Sequence, residues 1–173
     1  VNQLSEIQKL SISVPPDMTV DENQEGFAWL KRFRTKFADN NEHEIQQGII
    51  IYTYPYVNDS TFTLDYQIAK RDSVFKLAVP GPTEGSYMAT ELRFGMQPEF
   101  SQKMINGLYV FEMRGLWRVE GDLMGGPFLS ISMFDEPNNR IVTIEGYVYA
   151  PHFTKREYLR EMEAMIYSCQ FIE

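Results

Sequence analysis

The chain is short of cysteine, histidine, basic residues and long apolar runs, and each shortage removes a class of function. One cysteine, Cys169, in 173 residues permits neither an intrachain disulfide nor a cysteine-rich zinc site. The two histidines, His43 and His152, are read in separate turns with no ligand or catalytic spacing around them. Asp135-Glu136 and Glu42-His43-Glu44 also lack the spacing that zinc or calcium needs, so no metal is expected. No apolar stretch approaches the roughly 18 residues of a spanning helix. Lys and Arg number 16 against 24 Asp and Glu, a net charge of −8. That balance works against nucleic acid and anionic membrane surfaces, where affinity comes largely from basic side chains meeting phosphates. No Gly-x-Ser-x-Gly elbow exists, and Gly125-Gly126 runs into Pro127 instead of Lys and Ser or Thr. The chain therefore carries neither a hydrolase elbow nor a phosphate loop, and no cofactor is expected. The absence of methionine or a signal pattern at Val1 reads as a portion of something longer.

What is present is a globular composition, 43% hydrophobic, 14% aromatic and 23% charged, enough for one α+β domain over residues 1–173. Its organising stretch is 108–150. Tyr109, Phe111, Met113, Gly115, Trp117 and Val119 alternate with a set that includes Glu112, Arg114, Arg118 and Glu120. Period two marks a strand with one face buried, and Gly115 inside it suggests a bulge or a close backbone approach. Met124-Gly125-Gly126-Pro127 and Glu136-Pro137-Asn138-Asn139 are turn sequences. Between and after them Leu129, Ile131 and Met133, then Val142, Ile144 and Val148, continue the alternation, with Thr143, Glu145, Tyr147 and Tyr149 facing outward. Short connections between alternating strands predict an antiparallel meander.

The remainder reads as strands at 7–14, 27–37, 45–56 and 87–94, with an acidic loop at 17–26. Helical spacing predicts a helix within 59–80, ended by Pro80-Gly81-Pro82. A capping box at Thr154-Lys155-Arg156-Glu157 opens a second one. Residues 98–106 read as a helical turn capped by Gly107. The expected architecture is an antiparallel sheet of about six or seven strands with two main helices on one face. A strand–strand–helix unit in 27–97 and again in 108–173 suggests an internal duplication.

Candidate chemistry is sparse. Cys169 lies on an apolar helical stripe, where a free thiol is a small buried hydrophobe. Glu112 and Glu145 on one meander could serve as paired acids in glycoside hydrolysis; the plainer reading is that Glu112 pairs with Arg114 or Arg118 in an exposed charged ladder. The outward row of Arg114, Arg118, Tyr147 and Tyr149, with Tyr52 and Tyr54 secondary, offers the residue types enriched at recognition surfaces. The competing reading is that helices cover this face and the tyrosines are core with satisfied hydroxyls.

Arg114-Gly115-Leu116-Trp117, Met124-Gly125-Gly126-Pro127-Phe128 and Glu145-Gly146-Tyr147-Val148-Tyr149-Ala150-Pro151 resemble a known family. Asn138-Asn139-Arg140 and Lys70-Arg71-Asp72-Ser73-Val74 fit it as well. The chain is similar to the C-terminal portion of domain of unknown function 4837, a family of bacterial cell-envelope lipoproteins. The resemblance implies an α+β fold, an envelope location and a lipid anchor outside this chain, and it supplies no catalytic residues. The expected function is a non-catalytic binding or assembly module for a protein, peptide or glycan partner. The alternative is a carboxylate-dependent hydrolase of envelope glycans using Glu112 and Glu145.

Overall fold

A computed structural model of the chain describes residues 2–172, with side chains for residues 4–172. A short helix α1 (Asn2–Gln8) leads into β1 (Leu10–Ser11), then β2 (Thr19–Gln24), β3 (Phe27–Ala38) and β4 (Asn41–Pro55). Helix α2 (Leu64–Ala78) and β5 (Tyr87–Thr90) follow, then β6 (Glu99–Ile105), β7 (Leu108–Glu120), β8 (Gly125–Asp135) and β9 (Arg140–Tyr149). The chain ends with α3 (Arg156–Tyr167) and β10 (Gln170–Phe171). β1 and β10 form a small antiparallel pair. The main sheet has eight strands, not six or seven, in the order β2-β3-β4-β9-β8-β7-β5, with β6 also on β7. β5 and β6 lie along different lengths of β7, against residues 117–120 and 108–114.

The meander β7-β8-β9 forms as its alternation predicts. Two strands absent from the reading complete the sheet. β2 has an almost wholly exposed sequence, Thr-Val-Asp-Glu-Asn-Gln, so it shows no apolar period and resembles a loop. β6 was expected to be a helical turn, but Asn106 and Gly107 both take left-handed backbone, φ 50° and 80°. Two consecutive left-handed residues make the two-residue turn of a hairpin, which pairs Ile105 with Leu108. Residues 2–8 are helical where a strand was expected from residue 7, because Leu4 is buried under the sheet. Helix α3 starts at Arg156 without a side-chain cap, so the expected capping box is not made.

The helices lie on opposite faces of the sheet, where the sequence reading put both on one. Ile49, Ile51, Ile131, Ile144 and Val148 pack with Met162, Met165 and Ile166 of α3. Ile50, Tyr52, Phe128 and Tyr147 pack with Phe75 of α2. Adjacent residues of one strand point to opposite faces, so Ile50 and Ile51 alone separate the two layers. A twofold repeat about the β4–β9 pair would keep both helices on one face; here they are on two. The positions read as outward on β9, Thr143, Glu145 and Tyr147, are buried on the α2 side of the sheet. On the α3 side, Cys169 packs with its sulfur 3.7 Å from Met133 Sδ, and burial pushes its thiol up to about 11.

Candidate functional site

Two glycines shape the end of the sheet that α2 leaves uncovered. Gly48 on β4 opposes Tyr147 on β9, and a Cβ at Gly48 would overlap the Tyr147 ring. The ring lies across the strand in that space, bringing its hydroxyl 2.7 Å from Gln46 Nε2 and 3.1 Å from Trp29 Nε1. Gly126 on β8 opposes Trp117 on β7, and a Cβ there would overlap the Val148 carbonyl oxygen. The indole of Trp117 crosses above it and donates to that carbonyl at 3.2 Å. The Met-Gly-Gly-Pro sequence, expected to be a turn, instead opens β8 from Gly125 and pairs with β7. Its second glycine lets a tryptophan reach over β8 to the backbone of β9.

Trp117 meets Tyr147 edge-on at 5.7 Å and Tyr149 at 6.2 Å. Lys31 Nζ stands 3.6 Å above the Trp29 ring and 2.7 Å from Asp21. Trp29, Lys31, Trp117 and Tyr147 line a cavity of about 240 Å³, bordered on the other side by Val79, Pro80 and Pro82 after α2. A second, more open concavity of about 760 Å³ lies around residues 121–127, with Arg93, Arg118 and Lys155 at its edge. Trp117, Val119 and Met124 line both. The hydrogen bond from Arg93 is the main reason that the Glu91 carboxyl falls to about 2, helped by the charge of Arg118. Arg118 also pairs with Glu120. Burial raises the Tyr147 hydroxyl well above its ordinary range, outweighing the bonds from Trp29 and Gln46, so it stays protonated.

The predicted contact residues are divided. Tyr147 and Tyr149 meet Trp117, whereas Arg118, next to it on β7, borders only the more open of the two concavities. Arg114 lies on the α3 side, bound to Glu112 at 2.7 Å and to Glu163 of α3 at 3.1 Å. Tyr52 and Tyr54 are core beneath α2: the Tyr54 hydroxyl accepts from Gln67 Nε2 at 2.9 Å, and Gln67 in turn meets Ser132 at 2.8 Å. Trp29, Trp117 and Met124 were not singled out as site residues. The signal available was a glycine inside each facing strand.

The alternative acids do not share a cleft. Glu145, fully buried on the α2 face, binds Arg71 through Nε–Oε2 and Nη2–Oε1, both at 2.7 Å. Two donors on two carboxylate oxygens require the ionised acid, since a carboxylic acid would turn a proton toward one of them. Burial works against the Arg71 charge, but the Coulomb attraction and hydrogen bonds of Glu145 outweigh it and raise the guanidinium pKa. Burial likewise pushes the Glu145 carboxyl up against the pull of Arg71. The guanidinium lies between the rings of Phe75 and Phe128, 4.4 and 4.2 Å from their centres, and reaches Thr90 Oγ1 at 3.0 Å. Glu112 is on the other face. Burial acts to raise its carboxyl, but hydrogen bonds from Tyr167, Arg114 and Lys103 overcome that and lower it. The sheet separates the two acids, and each is neutralised by its own cation.

His43 lies in β4 rather than in a turn, and its ring meets that of His152 at a tilt of 36°, with centres 3.9 Å apart. No group of three or more His, Cys, Asp or Glu among the described residues is placed to hold a metal ion. No helix among them is long and apolar enough to cross a membrane.

A solved structure from Bacteroides thetaiotaomicron VPI-5482 aligns with 95% of this chain and 45% of its own, at 11% identity and a TM-score of 0.43. The chain thus spans less than half the length of that protein. No curated protein matches it in sequence. The motifs around this site, the Met-Gly-Gly-Pro sequence and the Glu-Gly-Tyr-Val-Tyr strand, lie within a family match over residues 1–168, and the chain belongs to that family, the domain of unknown function DUF4837.

Proposed function

We propose that this chain is a non-catalytic binding or assembly module of the bacterial cell envelope. In the whole protein it would be held to the membrane by a lipid anchor outside these residues. The contact site is the end of the sheet around Trp117. The observation that carries this reading is the shared wall of Trp117 and Met124 between two concavities, one aromatic and one edged by arginines. Pockets that recognise ligands combine largely apolar walls with a few placed polar groups. The smaller cavity has Lys31, Gln46 and the Tyr147 hydroxyl as its polar groups, against walls from Val79, Pro80 and Met88. A sugar ring would leave most of its hydroxyls unpaired against such walls, at a cost of about 1–3 kcal/mol each. An apolar or ring-bearing side chain of a peptide fits better, so the supported partner is a peptide or protein segment.

Both tryptophans of the chain line this cavity, so their fluorescence reports its occupancy directly. Titration with short peptides carrying proline, leucine or tyrosine is expected to give a saturable change. Binding should weaken about tenfold in Lys31→Ala or Arg118→Ala and be unaltered in Glu112→Gln. A flat response to every peptide, or hydrolysis of an envelope glycan that disappears in Glu112→Gln, would sink this reading.

A further inference from the structure

The two outer edges of the sheet are built differently. β2, at one end, carries Asp21 and Glu22 and is interrupted by a register shift between Val20 and Glu22. A bulge and charges are the usual means of keeping an edge strand from pairing with another chain. β6, at the other end, has no such bulge, and its two charged residues, Glu99 and Lys103, are of opposite sign. Its seven residues pair with β7 in unbroken register, and among the described residues it pairs with no other strand. Its exposed side chains include Phe100 at 55% and Met104 at 64%, beside Tyr109 at 46% on β7. Phe100 stacks on Phe111 at 5.5 Å, which holds the row rigid on the α2 side of the sheet.

The turn fixes which backbone groups are free. Residues flanking a two-residue hairpin turn form a hydrogen-bonded pair, so Ile105 bonds Leu108, and by alternation Lys103 and Ser101 also face β7. The N–H and C=O groups of Phe100, Gln102 and Met104 therefore point outward. From this geometry we infer that β6 pairs antiparallel with β6 of a second copy of the chain, about a twofold axis at Gln102. That register puts Phe100 opposite the second copy's Met104 and Gln102 opposite its counterpart, so both exposed apolar side chains are covered twice over. It also suits the charges. Glu99 makes no ion pair among the described residues, and in this register it lies diagonal to the second copy's Lys103, within reach of a long side chain. No like charges face each other across the axis, so the local pairing is neutral although each chain carries −8.

Sedimentation equilibrium tests this directly. The mass should rise with concentration from 20.2 kDa toward twice that value. Gln102→Pro should stay monomeric and folded, because proline removes an outward N–H that the chain itself does not use. Met104→Lys, at an exposed position, should weaken association about tenfold or more by setting a charge against the second copy's Phe100. A wild-type chain that stays monomeric at every concentration overturns the inference and leaves the edge to an extended segment of another protein. A dimer that persists in both variants overturns it as well, since the interface would then lie elsewhere.

Discussion

The two faces of the sheet are packed by different chemistry. Under α3 the buried hydrophobic residues are aliphatic or sulfur-bearing: isoleucine, leucine, valine, alanine, methionine and Cys169. Under α2 they are largely aromatic: Phe27, Trp29, Tyr52, Phe111, Trp117, Tyr147. Branched aliphatic side chains interdigitate and leave little space, whereas rigid rings meet at fixed angles and leave gaps at their edges. The aromatic face accordingly needs glycines to seat its rings and polar partners for its hydroxyls. It also holds the buried Arg71–Glu145 pair, and its rings line the smaller cavity. A face made for dense packing and a face made for fitted contacts share one set of strands, with function proposed only for the second.

The largest expected difference between the faces comes from removing one partner of the ion pair. Arg71→Ala leaves Glu145 buried and uncompensated, which should cost about 3–5 kcal/mol in denaturant unfolding. Replacing both, Arg71→Met with Glu145→Leu, should recover most of that loss, because two well-packed apolar groups need no counter-charge. If the double variant is as unstable as Arg71→Ala, the pair does more than neutralise itself and the face depends on its hydrogen bonds to Thr90.

On the aliphatic face, Ile144→Ala should cost about 2–5 kcal/mol through lost burial and the cavity left behind. Unlike the charged substitution, it has no single compensating partner. The same unfolding measurement should show no rescue from a polar change elsewhere. A loss below about 1 kcal/mol would mean that α3 settles onto the sheet, and that this layer is less tightly packed than its composition implies.

The smallest effect concerns pH. Glu112 has its folded pKa lowered, and the Glu91 carboxyl falls from the ordinary 4.5 to about 2. The stability they add is therefore complete above pH 4.5 and is lost as pH falls through the folded values. Melting temperature measured from pH 6 downward should decline, and Glu112→Gln should make the decline below 4.5 shallower. An unchanged slope would mean that the Arg114, Lys103 and Tyr167 contacts contribute nothing through the charge of Glu112.

The meander was legible because its strands alternate over many residues and their turns have strong chemistry. What sequence could not show is that both faces are covered. Glu112 and Glu145 look solvent-facing because each is polar, and their burial depends on partners that arrive from far along the chain, Tyr167 and Arg71; Thr143 bonds Ser132 on the neighbouring strand. β2 was invisible because an exposed edge strand has no need of an apolar period. β6 was legible in principle, since Asn106-Gly107 is a strong hairpin signal, but its mixture of Ser, Gln and Lys with Phe and Met hid the alternation. Tyr147, Tyr149 and Arg118, near Trp117, were named in the sequence reading by residue type. Trp29, Trp117 and Met124 were not, since the cavity is made by glycines on the opposing strands.

The single thiol has an experimental consequence. Cys169 is buried against Met133, and its raised pKa leaves it almost wholly in the unreactive thiol form near neutral pH. A thiol-selective reagent can react only after the α3 side opens, so the labelling rate is a clock for that opening. No residue needs to be introduced for the measurement. Run alongside tryptophan emission, it would tell whether the two faces come apart in one step or one after the other.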